Sequence, residues 1–171
     1  MGYLHDTAMS QAIHPNECMF SAGTWTHVET GVADIWGMQR AAANATFNVR
    51  VPIKLPSNSV ALKGAKLVSI DIFWDVATEA MDALAATIYQ TIFPATGADF
   101  AAATSHAFSY DSGHDGAAER NTADEHTMTL TLTTPVWIDN DDMWFVELGV
   151  DGGANGVFTF LGARINYTLR M

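Results

Sequence analysis

Two-residue alternation, more than any motif, limits what this chain can fold into. In TFNVRVPIKL, Phe47, Val49, Val51, Ile53 and Leu55 share one face, while Asn48, Arg50, Pro52 and Lys54 share the other. TMTLTLTTPVWI sets Met128, Leu130 and Leu132 against Thr127, Thr129, Thr131 and Thr133. MWFVELGVD puts Trp144, Val146, Leu148 and Val150 together, and the final segment sets Ala163, Ile165, Tyr167 and Leu169 opposite Arg164, Asn166, Thr168 and Arg170. Successive side chains of a strand point to opposite faces, so each segment reads as a half-buried strand. KLVSIDIFWDVAT adds a fifth, with Val68, Ile70, Ile72, Trp74 and Val76 opposite Ser69, Asp71 and Asp75. ALAATIYQTIF adds a sixth, with Leu84, Ile88 and Ile92 on one face. A helix over ATEAMDALAATIYQ competes there, because Ala, Glu, Met and Leu are good helix formers. We read a short loop or single turn at 78–83 followed by a strand.

The connections carry turn chemistry. PSNS at 56–59 reads as a polar turn, DNDD at 139–142 as a hairpin turn, and GGANG at 152–156 as a turn whose glycines supply positive φ. Pro52 cannot donate to a ladder, which predicts an edge or one-sided pairing at that position. Further strands are expected around 22–29, 32–38 and 104–110. Short antiparallel strands with long connections over one core predict an antiparallel β-sandwich, a jelly roll, over residues 46–171. Residues 1–45 carry scattered aromatics and methionines without a period. They are expected to form an extended N-terminal arm packed on the chain's own sandwich or on a neighbouring subunit.

Charge excludes several partners. The 171 residues carry a formal charge of −11, with 8 Lys and Arg against 19 Asp and Glu. A surface this acidic repels phosphates and anionic lipid headgroups, so direct nucleic-acid or membrane partners are not expected. No basic, apolar leader opens the chain and no run of residues is apolar for the length of a membrane span, which predicts a cytoplasmic origin. Cys18 is the one cysteine and is read as a small hydrophobe, with His14 four residues away as the nearest base in sequence.

The titratable side chains gather in SYDSGHDGAAERNTADEHTMTLTLTTP, residues 109–135. Asp111, His114, Asp115 and His126 are the metal candidates, with Glu119, Asp124 and Glu125 nearby; they converge if 111–115 and 124–126 are two ends of one loop. HExxH is absent, and a solvated, turn-rich strand connection is the preferred reading. Asp139, Asp141 and Asp142 resemble the opening of a calcium loop. Val150 stands where the bidentate Glu belongs, so a hairpin turn explains them better. GVDGGANG joins two strands and matches no phosphate loop, and GxSxG is absent. Of the five tryptophans, Trp74 and Trp144 fall on apolar strand faces, whereas Trp25, Trp36 and Trp137 are candidates for sugar stacking. No catalytic, cofactor-binding or metal-binding residue is assigned, and no cofactor is expected.

Two stretches carry a resemblance. VPIKLPSNSVALKGAKLVSIDIFWDV and TTPVWIDNDDMWFVELGVDGGANGVFTFLGARINYTLRM resemble jelly-roll structural proteins of tailed-phage and related virus particles. The resemblance implies a non-enzymatic, self-assembling virion component: capsid, decoration, head-fibre or tail accessory protein. It also implies a trimer or larger homo-oligomer that contacts other virion proteins and is assembled in the host cytoplasm. The alternative is a carbohydrate- or receptor-binding β-sandwich module, and a metal-dependent enzyme built on His114 and His126 comes third.

Overall fold

The computed structural model describes residues 5–30, 35–57, 64–94 and 101–170. Two antiparallel sheets face each other across one apolar core, as the alternation predicts. The larger sheet contains β1 (Asp6–Ile13), β3 (Trp25–Thr30), β4 (Ile35–Arg40), β6 (Gly64–Ala77), β9 (Phe108–Tyr110), β10 (Glu125–Trp137) and β12 (Val157–Arg170). Its order is β3-β4-β12-β6-β10-β9, with β1 pairing along β12 as well. The smaller sheet runs β2 (Met19–Phe20), β5 (Thr46–Ile53), β11 (Asp142–Asp151), β7 (Ala83–Ile92) and β8 (Thr104–His106). One short helix, α1 (Ala117–Asn121), lies in the 109–135 stretch, where the sequence shows only a polar loop. Five residues are too few to print a helical period.

Segment 83–92 is a strand, not a helix, because its place beside β11 buries Leu84, Ala86 and Ile88. Ile92, expected to share that face, lies beyond the core and is exposed. In β6 the apolar set is also shifted. Leu67, not Val68, enters the core, because Val68 is an extra residue between the pairs Leu67–Tyr167 and Ser69–Asn166. A bulge of this kind flips the parity of everything beyond it. Pro52 lies on β5, which is paired on both sides, with β11 along its length and with β2 at Val49 and Arg50. β2 ends before Pro52, so no partner there asks for the missing N–H. Residues 58–63, which include half of the PSNS turn, lie outside the described residues.

The N-terminal segment packs on its own chain. β1 pairs residue by residue with β12, from Asp6 opposite Arg170 to Ile13 opposite Ala163. A 3₁₀ turn, Pro15–Glu17, then carries the chain across to β2 of the smaller sheet. Ile13 is core, and Trp25 closes one end of it against Phe20, Phe47 and Phe158. Gly162 (φ 133°) supports this crossing, since a Cβ there would stand 2.9 Å from the Ile13 carbonyl oxygen.

The outer face of the larger sheet is held by one carboxylate. Asp71 accepts from Thr129 Oγ1 at 2.8 Å, Arg164 Nε at 2.8 Å and Asn166 Nδ2 at 3.0 Å. It thereby ties three neighbouring strands together. Burial raises its pKa, but the hydrogen bonds from Asn166, Arg164 and Thr129 outweigh that and hold it below the usual carboxylate range. An unfolded Asp titrates near about pH 3.9, so this stabilisation is complete above that pH and is lost as the pH falls through the lower, folded value. Asp71→Asn is expected to lower the thermal midpoint at pH 7 and to shrink the further loss between about pH 5 and 3. Thermal melts of both proteins across that range check this, and unchanged pH dependence in the variant would contradict it.

Candidate functional site

The 109–135 stretch does bring its histidines together. Asp111 Oδ1 meets His114 Nδ1 at 2.9 Å, His114 Nε2 meets His126 Nδ1 at 3.3 Å, and His126 Nε2 meets the Thr122 carbonyl oxygen at 3.0 Å. His126 comes from the inner face of β10, where it stacks flat on Trp74 with centroids 4.6 Å apart. Thr122 O can only accept, so His126 carries a proton on Nε2. His114 in turn donates from Nδ1 to the Asp111 carboxylate, which can only accept. Burial raises the Asp111 pKa, but hydrogen bonds from Thr129 N–H, His114 and Gly113 N–H reverse the sign and hold it below the usual range.

This chain of rings is bonded to itself and to its own loop. Every nitrogen in it already has a partner, and among the described residues no group of three or more His, Cys, Asp or Glu side chains is placed to hold an ion. Asp115 takes part through its backbone carbonyl, which accepts from Arg120 at 3.1 Å. Glu119 caps α1 by accepting from Gly116 N–H at 2.8 Å. Glu125 lies opposite Asp75. Burial, with Glu125 and Asp124 close by, pushes the Asp75 carboxyl up. At the hairpin, Asp142 Oδ2 accepts from Trp144 Nε1 and from Asp139 N–H, each at 3.3 Å, so it serves the turn; Asp141 is exposed beside it. Cys18 lies 3.7 Å from the carbonyl oxygen of His14, and burial pushes its thiol up to about 12. A thiol so protonated is no nucleophile.

The tryptophans divide as their environments dictate. Trp74 and Trp144 are core. Trp137 lies under two cations, with Arg170 4.9 Å and Lys66 5.7 Å from its ring. Trp25 is spent on the core rim. Trp36 is exposed, flanked by His14 at 4.1 Å and His27 at 5.4 Å.

A different surface carries the ligand geometry. On the outer face of the smaller sheet, Phe145 of β11 sits opposite Pro52 of β5 on one side and Tyr89 of β7 on the other. The three rings form a row across three strands, with Phe145 and Tyr89 centroids 5.2 Å apart. The next row on that face is Arg50, Glu147 and Thr87, and the one after is Asn48, Gly149 and Ala85. An apolar ridge therefore borders a polar strip, which borders a low floor of small side chains. Arg50 Nε donates to Glu147 Oε2 at 2.6 Å and its guanidinium leans towards the Phe145 ring, 5.9 Å away. Met19, Pro52, Met143 and Phe145 line an open cleft of about 540 Å³ at one end, with Glu17, Arg50 and Lys54 around it. Single-strand reading missed this row. Its signal was present in the outward parity of Phe145, since Trp144, Val146 and Leu148 claim the inner face.

No protein-family model matches the chain, and no curated protein matches it. Among solved structures it is similar to the xylan-binding module CBM15, at 17% identity over 95% of this chain and 97% of that one, with a TM-score of 0.45. It is also similar to a family 11 carbohydrate-binding module from Clostridium thermocellum in complex with a β-1,3-1,4-mixed-linked tetrasaccharide (10% identity, 96% and 89% covered, TM-score 0.38). A third likeness is to a structure of promiscuous carbohydrate-binding modules of the β-sandwich superfamily (9% identity, 95% and 56% covered, TM-score 0.39). These are likenesses of fold. The expectation of a structural virion component is the one they run against: each of these neighbours is a carbohydrate-binding module. The features that suggested particle assembly, alternating strands and turn-rich connections, belong to the sandwich itself.

Buried Arg120 holds the histidine loop to the body, donating to Leu84 O at 3.1 Å and to the carbonyl of His114 while covering the Tyr110 ring at 4.2 Å. Arg120→Ala strands those carbonyls and is expected to cost roughly 2–3 kcal/mol in urea unfolding. A loss below about 0.5 kcal/mol, the range of ordinary surface substitutions, would contradict that role.

Proposed function

We propose that this chain is a non-catalytic carbohydrate-binding β-sandwich module that holds an oligosaccharide on the outer face of its smaller sheet. The observation that carries this reading is the transverse row Pro52–Phe145–Tyr89 beside the row Arg50–Glu147–Thr87. A pyranose ring has an apolar face of C–H groups and an equatorial fringe of hydroxyls. The first needs a ring to lie on, and the second needs paired donors and acceptors at its edge. Here both are present in register. Arg50 supplies fixed N–H donors, Glu147 supplies carboxylate acceptors, and Thr87 supplies one of each.

Strands are spaced about 4.8 Å apart, so a row over three strands spans roughly 10 Å, long enough for more than one sugar ring. Arg50 and Glu147 neutralise each other, as Lys54 and Glu17 do more loosely at 4.0 Å. The surface is thus matched to an uncharged polysaccharide and not to a polyanion, which the chain's charge of −11 would repel.

Calorimetric titration against a panel of soluble neutral polysaccharides tests the proposal. Binding to at least one is expected, and Phe145→Ala is expected to weaken it about tenfold or more, the equivalent of roughly 1.4 kcal/mol. Trp137→Ala is expected to leave affinity unchanged. Binding that survives Phe145→Ala and Tyr89→Ala together, or the absence of binding across the panel, would overturn the assignment.

A further inference from the structure

We infer that the exposed edge of β1 is a self-association surface, on which a second copy of this chain pairs antiparallel to give a two-fold dimer. Sheet edges present unpaired N–H and C=O groups, and proteins that stay monomeric blunt them with short strands, charges, prolines or bulges. The other described edges follow that rule. β2 has 2 residues, β8 and β9 have 3 each, and β3 carries Glu29.

β1 is blunted only by Asp6 at its first position, and Arg170 neutralises that charge. It runs for 8 residues without a break in register along β12, and Thr7 to Ile13 contain no charge and no proline. Among the described residues no strand pairs with its outer edge. All of Asp6 to Ser10 is exposed, including Met9 at 42%.

The occupant follows from charge. Two copies of a chain at −11 repel each other over most of their surfaces. Along β1 the one carboxylate, Asp6, is held by Arg170 through two hydrogen bonds, and Arg164 at the other end is paired with Asp71. The edge is therefore neutral, and a copy of the same chain meets no repulsion there. A two-fold axis normal to the sheet at Met9 brings the two exposed thioethers together and sets Thr7 opposite Gln11 of the partner subunit. Such a contact is isologous and closes at two copies.

The test is sedimentation velocity of the full chain over a range of concentrations. A species of twice the 18.5 kDa chain mass is expected to grow with concentration. Met9→Lys, which sets two ammonium groups against each other at the axis, is expected to raise the dimerisation midpoint at least tenfold. Met9→Leu is expected to retain the dimer. Circular dichroism melts of each variant, run where the chain is monomeric, are expected to match the parent because the Met9 side chain is exposed. A chain that stays monomeric throughout, an assembly of three or more, or a dimer indifferent to Met9→Lys would overturn the inference. Phe145 lies on the other sheet, so Phe145→Ala is expected to leave the dimer intact whatever happens to sugar binding.

Discussion

The unbroken register of β11 between β5 and β7 is the constraint on which the rest depends. From Trp144 to Asp151 every residue has a partner on both sides without a bulge. Parity set at one position therefore holds along the strand. Trp144, Val146, Leu148 and Val150 all enter the core, each 2% exposed or less. Burying an indole such as Trp144 removes roughly 200 Å² from water, worth about 5 kcal/mol, so the strand cannot slip by one residue without exposing its whole inner set. The same lock sends Phe145 and Glu147 outward. It also fixes their cross-strand neighbours, so the ring row and the polar row follow from packing on the opposite face.

The larger sheet is organised differently. β6 and β12 pair along nearly their full length but through two bulges, at Val68 and Leu161. The bulges let long strands twist over a core of changing width. Asp71 and its three donors then tie β10, β6 and β12 together on the outer side, in the stretch between the bulges. The Asp111–His114–His126 chain does a related task at the edge, where β9 and α1 would otherwise leave the Trp74 side of the core open.

Much of this was legible in the sequence, and the gaps have physical causes. Alternation named the inner faces of β5, β10, β11 and β12 correctly, because those strands keep their parity where they were read. It failed at Val68 and Leu67, since both are apolar and nothing local marks the extra residue. The strands at 25–30 and 35–40 sit at a sheet margin where Trp36 and Ile35 stay exposed, so burial never imposed a clean pattern on them. Convergence of His114 and His126 was foreseeable from a loop returning on itself, but whether they bind an ion or one another depends on atoms that sequence does not order. The ring row was invisible for a topological reason. Pro52, Phe145 and Tyr89 lie far apart in the chain and become neighbours only through the order β5-β11-β7.

A two-dimensional amide NMR titration of the isotope-labelled full chain, with a polysaccharide-derived oligosaccharide that it binds, tests most directly whether sugar lies on the smaller sheet. Shift changes centred on Arg50, Tyr89, Phe145 and Glu147 are expected, spreading along β5, β7 and β11 while β6 and β10 stay still. Changes centred instead on Trp36 or Trp137, with the smaller sheet unmoved, would contradict that placement.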